Sequence, residues 1–138
     1  MTELQGQEDQ WPESAAAAVS AITSFMAAIN AGDADALQEL LHLPHIRISG
    51  GGVAIWHDRE ELEATYMRDF YARAGTDWHH TVLDSAQALH SSEHKVHVLI
   101  QFTRCDADGS ALSTYRSLWI MTHVNGRWGA QARSSFAP

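Results

Sequence analysis

Asp84 is the only carboxylate in the middle of a predicted strand, and His80 stands on the same side of that strand. A histidine and an aspartate on one wall are the residue types of a general base and its orienting partner. His80 and Asp84 are therefore the catalytic candidates. Arg104 ends an alternating apolar row, Val96, Val98, Ile100 and Phe102. At the edge of an apolar pocket, a guanidinium clamps a carboxylate or phosphate through two parallel N–H groups. Arg104 would equally pair with Asp106 or Asp108 in the adjoining turn. His45 follows Pro44 and shares a strand face with Arg47 and Ser49. It is either a polar contact to a ligand or a strand-end histidine bonded to backbone.

Aromatic residues supply the rest of a candidate ligand site: Trp56, Tyr66, Phe70, Trp78, Phe102, Tyr115 and Trp119. At helix and strand spacing they either fill a core or line a cavity suited to a flat apolar molecule. Tyr66 and Tyr115 would then offer hydroxyls.

Other chemistries find little support. His90, His94 and His97 cluster across a predicted hairpin and offer loose metal ligation, but nine histidines make chance clustering an equal explanation. His79 and His80 are neighbours on a strand, so they point to opposite faces. There is no HExxH box, and the single Cys105 excludes a multi-cysteine zinc site or an internal disulfide. Gly50–Gly52 precedes a strand rather than a helix, so it is no phosphate- or dinucleotide-binding loop. No metal and no cofactor are expected.

The chain has 138 residues, 45% hydrophobic and 19% charged, which suits one packed domain. Its 17 acids against 9 bases leave a net charge of −8. Such a chain is a poor non-specific partner for nucleic acid. The apolar run Ala15–Ile22 is too short to span a bilayer. The acidic, polar opening carries no basic-then-apolar leader, and the lone cysteine suits a reducing cytoplasm. No membrane partner is expected.

Residues 1–12 read as a tail and 13–138 as the domain. Helical spacing runs from Glu13 to Ala31, and Gly32 stops it. Asp33 caps a second helix reaching His42, which Pro44 ends. His45–Ser49 and Val53–His57 are short strands joined by the glycine turn. Asp58 caps a third helix over Arg59–Arg73. Long strands follow near Trp78–Leu89, Lys95–Arg104, Leu112–Val124 and Arg127–Phe136.

Turn arithmetic assigns the faces. Asn125-Gly126 is a two-residue hairpin signal and places Val124 opposite Arg127. One face then carries Tyr115, Ser117, Trp119, Met121, Trp128, Ala130, Ala132 and Phe136. A four-residue turn at Asp106–Gly109 adds Val96, Val98, Ile100, Phe102 and Arg104. So apolar a face must pack against the helices. The opposite face holds Leu99, Arg116, Leu118, Ile120 and Arg133 and suits a partner sheet in a homodimer. The Ser91-Ser92-Glu93 turn leaves two facings open for the first long strand. One turns Trp78, His80, Val82 and Asp84 inward; the other turns His79, Thr81, Leu83 and Leu89 inward.

The order helix, helix, short strand pair, helix, long sheet resembles the NTF2-like superfamily in its SnoaL-like, ketosteroid isomerase-like branch. Phe25–Leu41 (FMAAINAGDADALQELL), Gly50–Tyr66 and Gly126–Phe136 (GRWGAQARSSF) carry the resemblance. It implies an α+β cone, three helices packed on a curled, mostly antiparallel sheet, with a pocket at the open end. It also implies homodimers and a small apolar or aromatic ligand. The family's isomerase residues fall on Ser49, Phe25 and the Trp119–Met121 stretch, none of them an acid or a tyrosine. Isomerase chemistry is not expected. The reading is a small-molecule-binding protein with an apolar, aromatic-lined pocket. The rivals are a lyase or cyclase using His80 or Asp84, or else His45, as base on a polyketide-like or aromatic substrate, and a dimerisation module with a filled cone.

Overall fold

The computed structural model describes residues 11–138. The tail read over 1–12 thus lies almost wholly outside the described residues. Helix α1 (Pro12–Ala31) starts with proline at its first turn, where the missing N–H costs nothing, and Gly32 ends it at φ 63°. Helix α2 (Ala34–Glu39) is capped by Asp33, whose carboxylate accepts the Ala36 N–H. It stops short of His42, because strand β1 already begins at Leu41 and runs through Pro44 to Ser49. Strand β2 (Gly52–Trp56) returns beside it, and α3 (Arg59–Ala74) follows its Asp58 cap. Then come β3 (His80–Ser91), β4 (Lys95–Cys105), β5 (Ala111–Val124) and β6 (Arg127–Ser135).

The six strands form one sheet in the order β2-β1-β6-β5-β4-β3. Only β1 and β6 pair in parallel. The fold is α+β, with three helices on a mostly antiparallel sheet. Helix α1 lies along β3 and buries Ala18, Ile22, Phe25 and Ile29 against the sheet. Burial of each large side chain stabilises by roughly 1.5–3 kcal/mol. Asn30 ties the helix to β3 by a reciprocal amide pair: it donates to the Thr81 carbonyl at 2.8 Å and accepts the Thr81 N–H at 2.7 Å. By length and composition α1 could cross a membrane, beyond what the Ala15–Ile22 run suggests. Here its apolar stripe packs inside the domain.

The β4–β5 register puts Val98 opposite Trp119, Ile100 opposite Ser117 and Phe102 opposite Tyr115. This is two residues from the expected pairing: Cys105 pairs with Ala111 rather than Ser110, and Leu112 is a bulge between that pair and the pairing of Arg104 with Ser113. A shift of two keeps every side chain on its expected face. The β5–β6 pair changes faces instead. Met121 pairs with Ala130 but Ile120 pairs with Ala132, so Gln131 is a bulge. Gln131 is pinned there, donating to the Pro44 carbonyl at 2.6 Å and accepting from Thr122 at 3.0 Å. Beyond the bulge, Arg133, Ser135 and Ala137 turn under the helices, and Phe136 is 82% exposed. The expected inward facing of Ala132 and Phe136, and the placing of Arg133 on the outer face, are thereby corrected.

Strand β3 bulges twice, at Asp84 and at Leu89. The two extra residues cancel, leaving Thr81, Leu83, Ala86 and Ala88 on the helix-covered side. His80, Val82 and Asp84 face away.

Candidate functional site

Under the helices the core does not close completely. A cavity of about 40 Å³ remains between α1, α3 and the sheet. Phe25, Met26 and Ile29 of α1 form one wall, and Phe102, Ser117 and Trp119 the wall opposite. Four arginines also line it: Arg47 on β1, Arg73 on α3, Arg104 on β4 and Arg133 on β6. Arg47, Arg104 and Arg133 are only 5–7% exposed. No carboxylate lines the cavity, and none pairs with any of these four within salt-bridge distance among the described residues.

Aromatic rings hold three of the guanidinium groups, Arg73 lying over Phe70 at 6.0 Å from its centroid. Arg104 lies over Phe70, Phe102 and Tyr115 at 5.5–5.8 Å from their centroids. Arg133 lies over Phe25, Tyr66 and Trp119 at 5.2–5.7 Å. Such contacts contribute about 0.5–2 kcal/mol each but satisfy no N–H. Arg47 donates from Nη2 to the carbonyls of Ala137 at 2.9 Å and Pro138 at 3.0 Å. Arg104 reaches the Arg73 carbonyl at 3.4 Å.

The remaining donors are left over. Arg73 Nε, Arg104 Nε, Arg133 Nη2 and Trp119 Nε1 are buried with no hydrogen-bond partner. Every one of these groups can only donate. A buried donor without a partner costs about 1–3 kcal/mol, and more when charged. The charges also repel. Burial, then Arg73, Arg133 and Arg104, push the Arg47 guanidinium down to about 10. Burial likewise lowers Arg73 and Arg104. The cavity is a positively charged chamber whose unpaired groups are these donors and the Tyr66 hydroxyl, also buried without a partner and able to donate or accept. What satisfies the donors is an anion with oxygen acceptors.

His45 braces this chamber from behind. It is fully buried, and its Nδ1 bonds the Ala130 carbonyl at 2.9 Å. A carbonyl only accepts, so Nδ1 carries the hydrogen and Nε2 is left to accept the Arg133 Nε–H at 3.1 Å. Burial, reinforced by Arg133, brings His45 down to about 3, so it is neutral.

Of the sequence candidates, Tyr66, Phe70, Phe102, Arg104 and Trp119 come together at the cavity. Arg104 does not pair with Asp106 or Asp108; Asp106 accepts the backbone N–H groups of Asp108 and Ser110 in its own turn. His45 stands behind Arg133. Trp56 is buried in the core and donates to Thr65 at 2.9 Å. Trp78 packs edge-on against Phe70, outside the lining. Tyr115 stands outside the lining, against Arg104 and Phe102. His80 lies off the cavity, its Nδ1 3.0 Å from that of His79. Asp84 sits on the outer face, where it accepts from Thr103 at 2.6 Å. Neither catalytic candidate reaches the chamber. His90 and His97 make a ring pair 5.8 Å apart, and no cluster of three metal-ligating side chains occurs among the described residues.

Sequence reasoning missed Arg47, Arg73 and Arg133 as a set. The signal that was available is the alternation of Arg47 with Ile46 and Ile48, which puts it on the same side as His45.

A sheet wrapped by three helices over an inner cavity defines the class, an NTF2-like α+β domain. Comparison with known families agrees: the SnoaL-like domain model matches residues 19–135, and this chain belongs to that family. No curated protein matches it. Solved structures resemble it in fold. A protein of unknown function with a cystatin-like fold from Nostoc punctiforme superposes with a TM-score of 0.68, at 14% identity over 87% of each chain. A ketosteroid isomerase-like protein from Erwinia carotovora atroseptica gives 0.63 at 17% identity, covering 91% of this chain and 96% of the other. An NTF2-like protein from Cytophaga hutchinsonii gives 0.65 at 18% identity, covering 87% and 94%. At such identities the likeness is one of fold alone.

Proposed function

We propose that this protein binds a small organic anion in the arginine chamber. The observation that supports it is the set Arg47, Arg73, Arg104 and Arg133 around one cavity with no carboxylate in its lining and donors left unpaired. The expected apolar, aromatic-lined pocket is thereby narrowed: the rings cradle cations, and the cations meet the ligand. The reading is one of binding, because among the described residues no carboxylate or histidine side chain lines the chamber to act as a base.

The experiment is titration calorimetry with acetate and with sulfate, paired with thermal unfolding. A ligand at a hundredfold excess over its Kd stabilises by about 2.7 kcal/mol. Arg133→Met is expected to abolish both heat and shift. Wild-type protein that neither binds nor is stabilised by either anion removes the proposal.

A homodimer through the outer face of β4 and β5 accompanies this reading. Leu99 is 37% exposed and pairs across the strands with Leu118, with Ile120 and Arg116 on the same face. Arg133 is not part of that surface. A reducing cytoplasm remains the proposed setting, on the ground of the lone, buried Cys105 thiol.

A further inference from the structure

Arg47 and Arg73 line two cavities at once. On their inner side is the chamber; on their outer side lies a groove of about 390 Å³ beneath the β1–β2 hairpin. Ser49, Gly51, Val53 and Ala54 form one bank of this groove, and Asp69 and Ala72 of α3 the other. The two spaces differ in size and in chemistry. The chamber, at about 40 Å³, holds only a few water-sized atoms, since a cavity needs ~10–15 Å³ to take one water. That is room for a planar carboxylate and little else. The groove is larger but shallow and open to solvent, and its banks are mainly small or aliphatic. Asp69 is the one carboxylate side chain among the described residues of its lining, which Pro138 completes, and it disfavours a second negative group on the ligand.

Resting on the anion-binding reading, we infer that the ligand is a monocarboxylic acid of two parts. Its carboxylate passes between Arg47 and Arg73 into the chamber, and its uncharged aliphatic body lies in the groove beneath the glycine hairpin. The two arginines at the neck align the acid, and the groove selects its length. A bare inorganic anion would use half of the site.

Calorimetric titration with acetate, butanoate and hexanoate, alongside methyl phosphate, tests this. Each methylene that enters the groove is expected to tighten binding by about fourfold. Gly51→Trp fills the groove from the hairpin. A Cβ there meets nothing nearer than Ser49 Oγ at 3.7 Å, and no positive φ opposes it. This variant is expected to hold acetate within about twofold and to weaken hexanoate by at least about tenfold. Ala72→Trp, on the exposed side of α3, repeats the test from the other bank should the hairpin variant fail to fold.

A flat series in wild-type protein overturns the two-part ligand while leaving the anion site standing. So does an equal loss of acetate and hexanoate in the tryptophan variants. Methyl phosphate binding more tightly than acetate overturns the choice of carboxylate. Silence from every anion, wild type included, overturns this inference and the proposed function together.

Discussion

Arg133 donates its Nε–H to Nε2 of His45 at 3.1 Å, and His45 in turn is held through Nδ1 by the Ala130 carbonyl at 2.9 Å. A protonated His45 could not accept from Arg133. The pair therefore requires neutral imidazole, and burial keeps it so, with its pKa at about 3. Unfolded, the ring takes up a proton near pH ~6.5. Stability that is complete above that value is lost as pH falls toward the folded-state value, at up to about 1.4 kcal/mol per unit. His42, also lowered by burial, acts in the same direction. Urea unfolding at about pH 7.5 and about pH 5 should show the decline, and His45→Asn should flatten it. Equal wild-type stability at both would count against the neutral brace.

Arg104 lies among Phe70, Phe102 and Tyr115 with Nε unpartnered. A buried charge without a counter-ion destabilises the empty protein, so an apolar residue of similar length should relieve it. Arg104→Met is expected to leave the empty protein as stable or to raise its stability by about 1–2 kcal/mol, while losing anion-dependent stabilisation. Thermal unfolding with and without acetate measures both effects. A variant that is strongly destabilised when empty would make Arg104 a structural support rather than a binding group.

Gly129 tests the packing behind the site. A Cβ there would fall 2.9 Å from His42 Cδ2 and 3.1 Å from the Leu40 carbonyl. The β1–β6 contact needs the missing side chain at this close approach. Gly129→Ala is expected to cost about 1–3 kcal/mol in denaturant unfolding. Gly50→Ala, where a Cβ meets nothing within 4 Å, is the control and should stay within about 0.5 kcal/mol.

The sequence carried most of the framework and only part of the site. Alternation in β4 and β5 survived a one-residue error in the turn, because the bulge at Leu112 adds a second residue and a shift of two preserves side-chain facing; Arg104, Phe102 and Trp119 therefore fell where alternation put them. One extra residue does not preserve it. The bulge at Gln131 moved Arg133 from the outer face into the chamber, and the bulge at Asp84 completes the outward turn of that carboxylate. Gln131 is held by Pro44 and Thr122 from two other strands, contacts that no local pattern encodes. Arg73 sits near the end of α3 and reaches the cavity only because that helix crosses it. The convergence of four arginines is a property of topology rather than of spacing.

His80 and Asp84 offer a direct check on where the chemistry lies. Asp84 bonds Thr103 on the outer face, and His80 contacts His79. Asp84→Asn and His80→Ala are each expected to leave acetate binding within about twofold of wild type. A loss of about tenfold or more in either would place the ligand on the outer face and remove the chamber from the mechanism.

The outer face has its own expectation. Leu99 and Leu118 are directly opposed on β4 and β5, and Val82 on β3 is 43% exposed. Exposed aliphatic residues grouped on one face across β3, β4 and β5 are stabilised by a matching face from a second copy, which doubles each contact across a two-fold axis. Leu118→Glu would bring two carboxylates together at that axis in an apolar setting. Sedimentation equilibrium should find wild-type dimer at micromolar concentration, and the variant should dissociate at least about a hundredfold more readily. Anion binding should survive, since Leu118 faces away from the chamber. A wild-type monomer would dismiss the dimer and leave the arginine site untouched, because Arg47, Arg73, Arg104 and Arg133 converge under the helices, away from the outer face.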